Sequence, residues 1–182
     1  HRVGSAWAST TPVDPVSAVW AAGDDEAFAA GALDVDHFDG SAWTQVAAAS
    51  RPLAAIAGSS PTDVYAVGTA GTVMHFDGAA WTGSAGLAGS GSLVAVWDGG
   101  AGAVYAGGAA GIFHFDGSAW QAEYTGDSIS VLWGSSPTDI FAGTATGILH
   151  SDGGGLWVPF VAPAMVVAIA GSGPDNVLAA SG

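Results

Sequence analysis

One seven-residue phrase recurs along the chain. It reads HFDGSAW at 37–43, HFDGAAW at 75–81 and HFDGSAW at 114–120, with looser copies HRVGSAW at 1–7 and HSDGGGLW at 150–157. All five histidines, His1, His37, His75, His114 and His150, hold the same place in it, at steps of 36, 38, 39 and 36 residues. A repeat of this period means one small structural unit built again and again, because a single unit cannot bury its apolar face alone and must stack on its neighbours.

A second marker precedes the first: VWAAGDDEAFAAG (19–31), IAGSSPTDVYAVG (56–68), VWDGGAGAVYAGG (96–108), LWGSSPTDIFAGT (132–144) and IAGSGPDNVLAAS (169–181). Each copy thus holds an apolar run, an alternating run carrying Phe28, Tyr65, Tyr105, Phe141 or Leu178, a run around the histidine, and a last run that opens at a tryptophan. Asp-Gly, Ser-Pro and glycine-rich joints separate the runs, and nothing has helical spacing. Four short strands with minimal turns use about 37 residues, the size of one antiparallel propeller blade.

The expected fold is all-β: a five-bladed β-propeller of short four-stranded antiparallel blades, one domain over 1–182 with units of about 1–36, 37–74, 75–113, 114–149 and 150–182. The chain opens on the last two runs of a unit and closes on the first two of another, so the N-terminal strands are expected to complete the last blade and close the ring. It begins without an initiator Met or a secretion signal, as expected of a processed chain or a piece of a longer one.

Composition narrows the function. Only Arg2 and Arg51 oppose 16 acidic residues, for a formal charge of −14, which repels phosphate backbones and argues against nucleic acid. There is no cysteine or lysine, so thiol chemistry and amine nucleophiles are absent, and no apolar run is long enough to span a bilayer. Catalysis asks for unique converging residues, whereas these recur; no enzyme is expected. The five histidines, one per unit, are expected to be structural ties and not a metal centre, which needs three or four ligands at one point.

Trp7, Trp43, Trp81, Trp120 and Trp157 read as wedges between blades, or as faces on which a ligand stacks. Trp20, Trp97 and Trp133 alternate with Ala57 and Ala170 at another position and read as adjustable core or as lining of the central channel. The ligand-binding candidates are Trp43, Trp81, Trp120 and Trp157 with the aspartates Asp39, Asp77, Asp116 and Asp152. No cofactor is expected. Calcium is admitted only at Asp34, Asp36 and Asp39, which lack the twelve-residue calcium-loop pattern. The glycines of the Asp-Gly turns, Gly40, Gly78, Gly117 and Gly153, are expected at positive φ.

The stretches IAGSSPTDVYAVGTAGTVMHFDGAAWT and LWGSSPTDIFAGTATGILH resemble a Trp/Gly-rich repeat, VWGSSPxDVWAVGxxGxxxHWDGxxW, of secreted and surface proteins in myxobacteria and related bacteria. That resemblance covers practically the whole chain and implies a propeller-like fold and an extracellular or cell-surface place. More remotely the five repeats look like the five-bladed tachylectin family, whose repeats are longer and which binds N-acetylated amino sugars between blades. The resulting expectation is a non-catalytic extracellular scaffold whose partners are other extracellular proteins or a surface assembly. A glycan-binding lectin is the alternative.

Overall fold

The computed structural model describes residues 2–3, 6–7, 10, 12, 14–84, 87, 89–100, 102–161 and 164–182; for residues 2–3 and 6–7 it describes the backbone. His1 lies outside the described residues, and so does the side chain of Trp7.

The alternating runs form antiparallel sheets in strict chain order. Blade 1 is β3–β6 (Val16–Ala21, Ala27–Gly31, Asp34–Phe38, Trp43–Ala48) and blade 2 is β7–β10 (Leu53–Ser60, Asp63–Gly68, Val73–Phe76, Trp81–Ser84). Blade 3 is β11–β14 (Leu93–Asp98, Val104–Gly108, Gly111–Phe115, Trp120–Tyr124) and blade 4 is β15–β18 (Ile129–Ser136, Asp139–Thr144, Gly147–Ser151, Val158–Val161). Two further hairpins, β1–β2 (Arg2–Val3, Ala6–Trp7) and β19–β20 (Val166–Gly173, Asn176–Ser181), stand as two-stranded sheets. The architecture is that of a five-bladed β-propeller, with four complete blades and two terminal hairpins that are not paired with each other among the described residues. No helix among the described residues is long and apolar enough to cross a membrane.

First strands lie against first strands around the axis: β3 touches β7, β7 touches β11, β11 touches β15 and β15 touches β19. In blades 1 to 4 the second strands are the most buried elements. Every residue of β4 and of β12 is buried, as expected of a strand covered on both faces. Small residues allow this crowding: Ala29, Ala30, Ala66, Ala106 and Ala142 are at most 1% exposed. Burial falls off toward the outer strands, and β18 is exposed along its length.

The Asp-Gly turns take the expected shape. Gly40, Gly78, Gly117 and Gly153 have φ of 90°, 87°, 90° and 80°, a region open to glycine without strain.

The second tryptophan set does not line a channel. Trp20, Trp97 and Trp133 each lie on a glycine of the next blade: a Cβ added to Gly58, Gly134 or Gly171 would sit 2.9, 2.6 or 2.6 Å from the indole. Trp97 Nε1–H also donates to Gly134 O at 3.1 Å. Where blade 2 has Ala57 in place of tryptophan, blade 3 has Asp98 in place of glycine. The Asp98 carboxylate reaches back across the junction to accept Ser59 N–H at 2.9 Å. Bulk on one blade is matched by space on the next.

Candidate binding site between blades

The repeated histidine stands on the third strand of its blade, directly opposite the aromatic residue of the second: Phe28↔His37, Tyr65↔His75, Tyr105↔His114 and Phe141↔His150. The paired rings meet at centroid distances of 4.8, 4.1, 4.3 and 4.4 Å. Antiparallel pairing also brings the residue two places before the aromatic onto the same face as the histidine. In three blades that residue is an acid, and the imidazole Nε2 meets it at 2.8 Å: His37 with Glu26, His75 with Asp63, His150 with Asp139. Blade 3 has Ala103 there, and His114 faces Gly102 O at 3.1 Å with Nε2 and Glu123 at 2.9 Å with Nδ1. The sequence reading missed these pairs. Their signal was the spacing acid-x-aromatic before His37, His75 and His150.

The Ser-Ser-Pro-Thr-Asp loops feed the same network. Ser59 Oγ–H donates to Asp63 at 2.8 Å, and Ser135 Oγ–H donates to Asp139. The carboxylate lies between hydroxyl and imidazole, so the histidine is not placed to take a proton from the serine. Nucleophile activation needs the base in the middle.

Four aspartates named from sequence are turned into their own hairpins. Asp39 Oδ1 accepts the N–H groups of Ser41 and Ala42, both at 2.9 Å; Asp77 accepts those of Ala79 and Ala80, and Asp116 those of Ser118 and Ala119. Asp152 accepts Gly154 N–H at 3.0 Å. Hydrogen bonding to the charged form holds Asp39 at a pKa of about 2, chiefly through Ala42 N–H, and Asp116 at about 2, chiefly through the Ser118 hydroxyl. Asp34 and Asp36 are 4% and 1% exposed in β5, whereas Asp39 sits in the exposed turn. The three do not converge, and no group of three or more acids or histidines among the described residues is arranged to hold a metal ion.

The tryptophans of the repeated phrase face the preceding blade. Trp81 meets Phe28 edge-on at 5.9 Å, Trp120 meets Tyr65 at 6.3 Å and Trp157 meets Tyr105 at 6.0 Å. Each of these three junctions therefore gathers an aromatic–histidine pair from one blade and a tryptophan from the next. Two junctions leave a cleft. Glu26, Phe28, His37, Val46, Phe76 and Trp81 line about 110 Å³ between blades 1 and 2. Between blades 2 and 3, Tyr65, His75, Phe115 and Trp120 are among the residues around about 270 Å³. At the junction of blades 3 and 4, Trp157 is 6% exposed and its Nε1–H donates to Glu123 at 2.8 Å. Trp43 is half-buried and donates from Nε1 to Thr10 at 3.1 Å. Thr10 follows Trp7 by three residues as Glu123 follows Trp120. The two contacts are equivalent, which puts residue 10 where the outer strand of a blade preceding blade 1 would run.

No family model matches this sequence, and no curated protein does. Solved structures resemble it in fold. The RRP9 WD40 repeats are 14% identical with a TM-score of 0.78, covering 97% of this chain and 63% of that one. U3-55K is 15% identical with a TM-score of 0.78, covering 97% and 64%. The WD40 β-propeller domain of Doa1 is 13% identical with a TM-score of 0.74, covering 94% and 64%. The chain thus spans a little under two thirds of the length of these structures, and the likeness is one of propeller architecture.

Proposed function

We propose that this chain is a non-catalytic β-propeller that serves as a protein-interaction scaffold at the cell surface or outside the cell. The observation that carries this reading is that the recurrent polar residues are spent on one another. Each described repeat histidine is tied to an acid and set against an aromatic ring, and the aspartates of the repeat cap their own turns. Groups committed in this way hold blades together and leave the variable loops and outer strands for partners. The extracellular place is supported by the resemblance to the Trp/Gly-rich surface repeats.

The test is photo-crosslinking at exposed outer-strand positions, followed by reconstitution of the captured complex from purified components. A stoichiometric complex supports the scaffold; failure to reconstitute any complex sinks it.

A lectin is the second reading, and the cleft flanked by Tyr65, His75 and Trp120 favours it, since an aromatic wall beside a polar ring suits a sugar. Intrinsic tryptophan fluorescence titrated with a glycan panel separates the two. A saturable change for one sugar class, lost in Trp120→Ala while the fold persists, supports the lectin; a flat response across the panel removes it.

A further inference from the structure

The small cleft between blades 1 and 2 is built unlike its counterparts. Pairing of β4 with β5 sets His37 opposite Phe28, and Glu26, two places before Phe28, shares their face. The cross-strand pair Phe76↔Trp81 of blade 2 closes the other side, and Val46 of β6 completes a lining around about 110 Å³. Ring centroids stand 5.6 Å apart for Phe28 and Phe76, 5.9 Å for Phe28 and Trp81, and 5.5 Å for Phe76 and Trp81. Phe28 is 2% exposed and lies deepest; the side chains of His37 and Glu26 are 24% and 40% exposed and stand at the mouth.

Polar capacity is confined to that mouth. Glu26 Oε1 meets His37 Nε2 at 2.8 Å, and Oε2 makes no hydrogen bond among the described residues. Val46 stands where other junctions carry Thr10 or Glu123, so no acceptor comes from β6. Trp81 Nε1–H is closed off and takes no part. No basic side chain lines the cleft. The equivalent acid of blade 2, Asp63, is one methylene shorter; it holds His75 but does not line the cleft between blades 2 and 3. Blade 3 has Ala103 at that position.

We propose that this cleft binds a quaternary ammonium group, the trimethylammonium head of a small free ion of the choline type. Aromatic rings attract a cation that stands within about 6 Å of their centroids, and the spacing of these three puts one ion within reach of all. Glu26 and the −14 charge of the chain favour a cation over a neutral ligand. The donor count selects the kind of cation. A primary ammonium carries three N–H donors and a guanidinium five, and one carboxylate cannot satisfy them. A metal ion asks for several oxygen ligands. A quaternary nitrogen has no N–H and turns only methyl groups to the rings. The cleft is far below the roughly 300–1,000 Å³ of pockets that enclose whole drug-sized ligands, so the head group enters and the remainder stays in water. A protein segment bearing the same group on a lysine would pay to order its main chain and gain nothing more inside the cleft. The phosphate beside a lipid's trimethylammonium meets the chain's negative charge.

Isothermal titration calorimetry of the full chain with choline tests the assignment. The comparators are dimethylbutanol, the neutral isostere with carbon in place of nitrogen, and ethanolamine, the unmethylated amine. Saturable binding of choline is expected, at least about tenfold tighter than either comparator. Glu26→Gln keeps a partner for His37 and removes the charge; Phe76→Leu keeps an apolar side chain and removes the ring. Each is expected to stay folded and to weaken choline by about tenfold. Equal binding of dimethylbutanol, equal or tighter binding of ethanolamine, unchanged affinity in a folded variant, or no saturable binding of choline overturns the proposal. Tighter binding of phosphocholine or of a trimethyl-lysine peptide than of choline overturns the free ion and gives the site to a lipid head group or a partner protein. The scaffold reading rests on other groups and is decided by its own crosslinking test.

Discussion

At the scale of single residues, charge placement sets opposite responses to acid. Asp39, Asp77 and Asp116 accept turn N–H groups and are held below the ordinary carboxylate value of 3.8. Their contribution is complete above that value and is lost as pH falls through the lowered values, about 2 for Asp39 and Asp116. Asp34 behaves the other way: burial first, then its hydrogen bond with Asp14, push its pKa up. The stability linked to its neutral form is present below pH 3.8 and is lost as pH rises through the elevated value. Asp34→Asn is therefore expected to raise the urea midpoint at pH 7 and to leave it unchanged at pH 3. The histidine ties are about one third exposed in blade 2, so their worth is modest. Asp63→Ala, which orphans both His75 and Ser59, is expected to cost about 1 kcal/mol by thermal melting. Sequence alone marked His75 as a tie without joining it to Asp63, because their meeting depends on strand register.

At the scale of the strand pair and the blade, the tryptophan–glycine match is the rule that sets packing. Gly134→Ala and Gly171→Ala drive a methyl group into Trp97 and Trp133, and each is expected to destabilise by about 1–3 kcal/mol. Ala57→Trp alone meets Asp98 and is expected to cost a similar amount, about 1–3 kcal/mol. Coupled with Asp98→Gly it rebuilds the pair found at three other junctions. A double-mutant cycle read by urea denaturation should then give a favourable coupling of about 1 kcal/mol or more. Simple additivity would show that the correlation carries no contact energy. The strands themselves were legible, because alternation, Asp-Gly turns and period fixed each run. The Trp20, Trp97 and Trp133 role was not, since the tryptophan and its glycine stand 37 or 38 residues apart and meet only when neighbouring blades stack.

At the scale of the whole molecule, the same rule reaches the fifth unit. Blade 5 carries Ala170 at the tryptophan position, and blade 1 carries Ala21 where other blades have the matched glycine, so no bulky wedge and no vacated space face each other there. Leu178 occupies the position that Phe28, Tyr65 and Tyr105 fill in other blades at 2%, 4% and 1% exposure, yet it is 72% exposed. Val19 on β3 is 63% exposed. These two apolar faces fit each other in kind, which predicts that blade 5 packs against blade 1 in solution. Leu178→Asp is then expected to cost about 2 kcal/mol or more in a thermal melt, as for a charge placed in a core. A change within about 0.5 kcal/mol, the usual range for a surface position, would show that the arc stays open.

The sequence by itself determined the unit: its length, its four strands, its glycine turns and the recurrence that makes a propeller. Those are local properties, written in alternation and in residues that tolerate positive φ. Only the tertiary structure decided which recurrent groups are consumed by the fold and which are left over. The five tryptophans of the repeated phrase are alike in sequence, yet Trp157 is buried and donates to Glu123, whereas Trp81 is left with an unanswered N–H where the facing position holds Val46. That difference lies in the residue facing each indole from another blade, and a one-dimensional repeat does not print who faces whom.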